Sequence, residues 1–200
     1  MEIKRGGNFI NFGCYDCISN DPILNYILDY NLKGYFVDAN FDILSECRDN
    51  FIGFDYTFVG VGIYTSSGPQ TFYEPKKMKN VPEWFYQTGT FDFSKVVEIC
   101  GKLNIPLDSY SQKTIHCERI DEFITKRGLY DLEVINIDLE GLDAEVIRQF
   151  PFNLVRPKVI MIEINSEKGI DESTFDYICS QGYESNRIPV TDWSIEFRLK

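Results

Sequence analysis

The chain has 200 residues with 20 basic and 31 acidic side chains, a net charge of −11, and 44% hydrophobic and 15% aromatic content. That length suits one domain with a well-filled core. The charge repels phosphate backbones and anionic lipid, so nucleic acid is excluded as an expected partner and a neutral or cationic substrate fits better. The only cluster of basic residues is Lys76, Lys77 and Lys79. The N-terminus lacks an apolar signal segment, and no run approaches the ~18 apolar residues of a spanning helix, so no membrane insertion and a cytoplasmic location are expected. Six cysteines sit at positions 14, 17, 47, 100, 117 and 179. The Cys14/Cys17 spacing suits zinc or redox chemistry, but no second pair follows, and six reduced thiols are expected.

In chain order, residues 8–13 read as a strand ending at Gly13. Asp21-Pro22 opens a helix whose apolar positions are Ile23, Leu24, Ile27 and Leu28. Residues 35–38 form a second, buried strand, and a helix over 41–50 follows. A third strand covers 56–63, a turn covers 65–69, and a short extended, antiparallel piece covers 70–73. Residues 74–91 are irregular, and a loop of that length is usually functional or mobile. Trp84, Phe85 and Tyr86 in it could close over an acceptor, or pack on the core or on a second copy in a homo-oligomer.

A helix over 93–103, a strand over 112–117 and a helix over 119–127 come next. Strand 133–138 is followed by a helix over 143–149, strand 158–164 and a helix over 172–180. The last extended segments, near 183–188 and 193–199, are joined by too few residues for a parallel crossover and must pair antiparallel. Strands alternating with helices predict an α/β fold on a mostly parallel sheet, over residues 1–200 as a single domain. The start of the chain close to the first strand leaves open a place within a longer glycan-assembly protein.

Ligands of open parallel sheets bind beyond the carboxyl ends of the strands. Gly13 follows the first strand there, and Asp38 ends the second 25 residues later. An acid at that point can accept both hydroxyls of a ribose. A dinucleotide turn needs three glycines and this one has a single glycine, so a nicotinamide-linked oxidoreductase is the weaker alternative. Asp138 ends a later strand, and alternation puts Glu163 and Asn165 on one side of the next. Such oxygens suit Mg²⁺, Mn²⁺ or Ca²⁺, although they could instead cap the helices that follow. His116, the only histidine, is a candidate general base because its side chain changes charge near neutral pH. Asp138 and Glu140 are the other candidates.

Three blocks resemble the FkbM-type methyltransferases. Phe9-Ile-Asn-Phe-Gly-Cys-Tyr-Asp-Cys17 is similar to the family's D-x-G-x-x-x-G turn. Lys33-Gly-Tyr-Phe-Val-Asp-Ala-Asn40 is similar to its segment of an acid, a small residue and Asn. Val134-Ile-Asn-Ile-Asp-Leu-Glu-Gly-Leu-Asp143 resembles its I-D-V-E-G-x-E motif. Arg156-Pro-Lys-Val-Ile-Met-Ile-Glu163 continues as the family's next strand.

The resemblance implies a three-layer, Rossmann-like class I methyltransferase fold, with a seven-stranded, mostly parallel sheet and an antiparallel C-terminal strand. It implies S-adenosylmethionine as cofactor and a sugar hydroxyl of a glycan or glycolipid as acceptor, the narrower expectation being a terminal deoxyhexose such as rhamnose. By this resemblance Gly13, Cys14, Tyr15 and Asp16 face the methionine part of the cofactor. Asp38 holds its ribose, Ala39 and Asn40 flank its adenine, and Asp138 and Glu140 stand by the acceptor. Asn11, Cys17 and Asp143 depart from the motifs. Cys17 either crowds the cofactor or points into the packing between sheet and helix, and these departures keep a non-catalytic nucleoside- or sugar-binding domain as the alternative.

Overall fold

The computed structural model describes residues 2–163, 171–191 and 194–200. Its central sheet starts from two strands that are buried on both faces, β1 (Asn8–Phe12) and β7 (Leu132–Ile137). Such continuous apolar runs are the signature of a parallel sheet covered by helices on each side. β2 (Lys33–Asp38) and β3 (Tyr56–Gly60) add in parallel beyond β1, and β8 (Val159–Glu163) adds in parallel beyond β7.

β11 (Ser194–Leu199) then runs antiparallel to β8, followed by β10 (Pro189–Thr191). The order is β10-β11-β8-β7-β1-β2-β3, seven strands, with the two-residue β9 (Tyr183–Glu184) as an eighth against β11. This is the expected mostly parallel sheet with antiparallel strands at its C-terminal edge.

Alternate side chains of the strands feed two apolar layers. Ile10, Phe12, Ile135, Ile137, Ile160 and Ile162 pack against α4 (Ile120–Arg127), α5 (Asp143–Ile147) and α6 (Glu172–Ser180). Phe9, Phe36, Val134, Val159 and Met161 pack against α1 (Leu24–Asp29) and α2 (Phe41–Asn50). The result is three layers, helix–sheet–helix.

The segment between β3 and α4 departs from the sequence reading. The strand expected over 56–63 breaks at Val61, whose N–H donates to the Asp38 carbonyl at 3.1 Å. Its second half, β4 (Gly62–Ile63), leaves the central sheet and pairs with β6 (Tyr110–Glu118). β6 also pairs antiparallel with β5 (Gly68–Pro75), longer than the short piece expected over 70–73. These three strands form a separate small sheet.

Above that sheet lies α3 (Phe93–Leu103), capped by Asp92, whose Oδ1 accepts the Ser94 N–H at 2.8 Å. Phe85 is buried there among Val96, Ile99, Cys100 and Tyr110. Of Trp84, Phe85 and Tyr86, Phe85 therefore belongs to the core rather than to a covering loop. α1 starts at Leu24, after a turn in which Asp21 Oδ1 accepts the Ile23 N–H at 2.9 Å, so Asp21 opens the helix with one oxygen while the other accepts from Asn11. Among the described residues, no helix is long and apolar enough to cross a membrane.

Candidate active site

The chain runs outward from β1 to β3 and returns on the other side of β1 at β7. The carboxyl ends of β1 and β7 therefore flank the point where strand order reverses, the usual ligand crevice of such a sheet. A cavity of about 1110 Å³ opens there. Gly13, Asp38, Asp138 and Glu163, each at the end of a different parallel strand, all line it. Ligand pockets are typically ~300–1,000 Å³, so the space suits a cofactor with an acceptor beside it.

Gly13 has φ +72, and its N–H donates to the Val37 carbonyl at 2.9 Å. A Cβ at this position would lie 1.6 Å from the Asp138 carbonyl oxygen. Glycine is needed for the close approach of the β1 and β7 ends, not only for the turn. Asp38 accepts the Tyr15 N–H on Oδ2 at 3.1 Å and the Asn40 N–H on Oδ1 at 2.8 Å. Its carboxylate is thereby aimed at the cavity with lone pairs to spare for a diol. Cys14, Tyr15, Ala39 and Asn40 line the same half. Asn40 is also the N-cap of α2, its Oδ1 accepting the N–H groups of Asp42 and Ile43 at 3.1 and 3.4 Å. Asp16 is not in the cavity wall; its carboxylate accepts the N–H groups of Ile18 and Ser19 and closes its own loop.

Asp21, read from the sequence only as a helix opener, is a wall residue. Asn11 Nδ2 donates to its Oδ2 at 2.5 Å, and Asn136 Nδ2 donates to Asn11 Oδ1 at 2.9 Å. Asn11 and Asn136 are opposite each other across β1 and β7. Each interrupts an apolar strand, which was the available sequence signal. Asn11 thus does not leave the site without an acid: it anchors the Asp21 carboxylate there.

Burial pushes the Asp21 and Asp38 carboxyls up from 3.8 to about 6, against the hydrogen bonds they accept. Such raised values stabilise the fold below the unfolded pKa, and the contribution is lost as pH rises through the folded one. The ligand-free protein should therefore lose stability as pH rises from about 4 to about 6. Asp38→Asn should remove on the order of 3 kcal/mol of that dependence. Chemical denaturation at a series of pH values reads this, and an unchanged slope in Asp38→Asn would refute it.

In the other half of the cavity, one carboxylate oxygen from each of Asp138, Glu140 and Glu163 lies within 4.8 Å of the others. Burial, then mutual repulsion, raises Asp138 and Glu163 well above the usual carboxylate range. Burial brings Glu140 to about 7, opposed by Lys95, whose Nζ lies 4.0 Å from Oε2. Glu140 is held at φ +48 by a turn in which Asp143 accepts the N–H groups of Leu139 and Gly141 at 2.8 and 3.3 Å. Thr90 Oγ1 donates to the Glu140 carbonyl at 2.9 Å. Asp143, the departure from the third motif, is thus a clamp on the turn that carries Glu140.

Among the described residues, Glu163 Oε2 and Asn136 Oδ1 are buried without a hydrogen-bond partner. A buried carboxylate oxygen of this kind is satisfied by a cation or a donor on a ligand. The donor set of Asp138, Glu140 and Glu163 therefore fits a hard divalent ion. Glu140 stands with Asp138 and Glu163 in this group, and Asn165, the other residue that alternation points to, lies outside the described residues.

His116 is exposed on β6 opposite Pro69 and is not among the cavity-lining residues. Trp84 and Tyr86 line the cavity together with Phe72 and Phe91. Tyr86 is fixed by donating its hydroxyl to the Met78 carbonyl at 2.7 Å.

The expectation of six reduced thiols is corrected at one pair. Cys17 and Cys47 form a disulfide with Cα atoms 5.5 Å apart. Cys17 points away from the cavity into the packing under α2, and spacing alone could not reveal a partner 30 residues away on that helix.

No curated protein matches the chain. Among solved structures it is similar to a methyltransferase FkbM from Methylobacillus flagellatus KT, with a TM-score of 0.57 and 13% identity, a likeness of fold. That match covers 98% of this chain and 44% of the other, so this chain spans less than half the length of that protein. The family model of the methyltransferase FkbM domain matches residues 16–185, from the loop after Gly13 to the end of β9. The match takes in Asp38, Asp138, Glu140 and Glu163, and on it the chain belongs to the FkbM methyltransferase family.

Proposed function

We propose that this chain is an S-adenosylmethionine-dependent O-methyltransferase acting on a sugar hydroxyl of a glycan or glycolipid, assisted by Mg²⁺ or Mn²⁺. The observation that carries the reading is a single cavity with a ribose-type acid at one end and a carboxylate trio at the other. Asp38 accepts the ribose hydroxyls, and Ala39 and Asn40 border the adenine. Asp21, presented by Asn11, receives the ammonium group of the methionine part. Trp84, Tyr86, Phe72 and Phe91 offer the flat apolar surfaces on which a sugar ring stacks.

Bound S-adenosylmethionine would supply an electrophilic methyl group, and a divalent ion held by Asp138 and Glu163, with Glu140 outside its ligands, would supply charge that acidifies a nearby hydroxyl. Asp138 and Glu163 hold that ion. Glu140 takes the hydroxyl proton; in the ligand-free fold burial raises its carboxyl to about 7. Lys95 beside Glu140 keeps the base from drifting higher. The aromatic wall excludes water, which favours positioning of the two reactants.

Thermal melting with S-adenosylmethionine, S-adenosylhomocysteine and NAD, each with and without Mn²⁺ or Mg²⁺, tests this reading. A ligand at ~100 times its dissociation constant adds about 2.7 kcal/mol. A rise with both sulfur nucleosides that disappears in Asp38→Ala is expected, with a further rise on adding metal. No shift with either sulfur nucleoside would sink the reading and leave a non-catalytic domain.

A further inference from the structure

The loop after Gly13 holds three non-glycine residues in the left-handed region, Tyr15 at φ +44, Cys17 at φ +64 and Asn20 at φ +57. L residues disfavour that region, and such backbone persists only where the surroundings over-determine it. Cys17 stands where the resembling motif has its last glycine, the residue that takes this conformation freely.

What holds the loop is visible in the structure. Cys17 is bonded to Cys47 on α2, and the Asp16 carbonyl accepts from Asn50 Nδ2 at 3.0 Å at the end of the same helix. α2 begins at the Asp38-Ala39-Asn40 segment, and the loop returns to Asp38 through the Tyr15 N–H. The crosslink therefore joins the two walls of one half of the cavity.

We propose that the Cys17–Cys47 disulfide is a positioning element of the cofactor subsite, replacing by covalent tether the backbone freedom of a glycine, so that cofactor affinity depends on the crosslink. The inference rests on the cofactor reading above. Both cysteines are buried and neither lines the cavity, so the tether acts through the loop and not by touching the ligand. Cys14, whose sulfur lies within 4.8 Å of both, faces the cavity. Burial and the nearby Asp38 and Asp21 carboxyls raise its thiol well above its ordinary value, which keeps it from attacking the bond as a thiolate. A dithiol reductant opens the bond by two exchanges, closing its own ring disulfide while Cys17 and Cys47 each leave as a thiol.

The test starts by alkylating the unfolded, unreduced protein. Four of the six cysteines should react, and reaction of all six would overturn the proposal. Calorimetry then measures the dissociation constant for S-adenosylhomocysteine in four samples: wild type, dithiothreitol-reduced wild type, Cys47→Ala and the double variant Cys17→Gly/Cys47→Ala. Thermal midpoints are recorded alongside. Reduction and Cys47→Ala should each weaken binding roughly tenfold, equivalent to about 1.4 kcal/mol. The double variant should recover most of that affinity without recovering the thermal midpoint, because glycine restores the loop conformation but not the tether.

Equal affinity in wild type and Cys47→Ala, or no recovery in the double variant, would reduce the bond to general stability and overturn the proposal. Binding by none of the samples would instead fail the cofactor reading and this inference with it. If Cys47→Ala does not fold, the reduced wild type carries the comparison.

Discussion

Gly13→Ala should destabilise the protein by on the order of 3 kcal/mol and abolish cofactor binding. The left-handed backbone at φ +72 costs an L side chain about 1–2 kcal/mol. The methyl group would also sit 1.6 Å from the Asp138 carbonyl oxygen, which belongs to a backbone that cannot rotate away. Overpacking of this kind costs about 1–3 kcal/mol more. Relief requires the ends of β1 and β7 to part, and that is where the Asp138 turn and the loop after Gly13 meet. Gly6→Ala is the matched control: its φ is +75, but nothing lies within 4 Å of the added carbon. It should show the conformational cost alone, about 1 kcal/mol. Urea denaturation of both variants measures the difference. Equal losses at the two positions would refute the close-approach argument.

Asp138→Asn should lower methyl transfer by roughly 10²–10⁴-fold, the usual range for removing a group that handles the reacting proton or its charge. The same substitution should leave the ligand-free protein as stable as the wild type or more so. Asp138 is half-buried beside Glu140, Glu163 and Asp143, and burial first, then their repulsion, raises its carboxyl in the fold without ligand. Removing the carboxyl relieves that repulsion, and Glu163, raised first by burial and then by Asp138, loses the second of these contributions. Gain of stability with loss of activity is the pattern of a functional rather than a structural carboxylate. Differential scanning calorimetry with and without Mn²⁺, beside a methyl-transfer assay, reads both effects. Asp138→Asn should lose the metal-induced rise. A variant that retains both turnover and the metal response would remove Asp138 from the site.

Much of this was legible in the residues. The apolar runs of β1, β7 and β8 can only be buried strands, and their alternation with amphipathic helices dictates a covered parallel sheet. Once the sheet is parallel, Gly13, Asp38 and Asp138 must meet at its carboxyl edge, because each follows or ends a strand. The three motif blocks pointed to the same place, and the family match over residues 16–185 takes in the second and third of them.

The rest depended on tertiary contacts with no local signature. β6 carries a strand pattern whichever sheet it joins. Only the break at Val61 and the antiparallel partner β5 decide that it forms a second sheet and carries His116 away from the cavity. Asp21 has the sequence context of a helix opener, yet Asn11 draws its carboxylate to the strand ends across ten residues. Glu140 joins Asp138 and Glu163 because a left-handed turn aims it inward, which strand alternation does not predict. Cys17 and Cys47 are 30 residues apart, and their bond exists because the loop after β1 is folded under α2. Periodicity therefore determined the sheet, its buried faces and the edge at which the cavity opens, since these follow from the spacing of apolar residues along the chain. The folded structure alone decided which side chains share the cavity, since that depends on turns and distant contacts whose directions no spacing encodes.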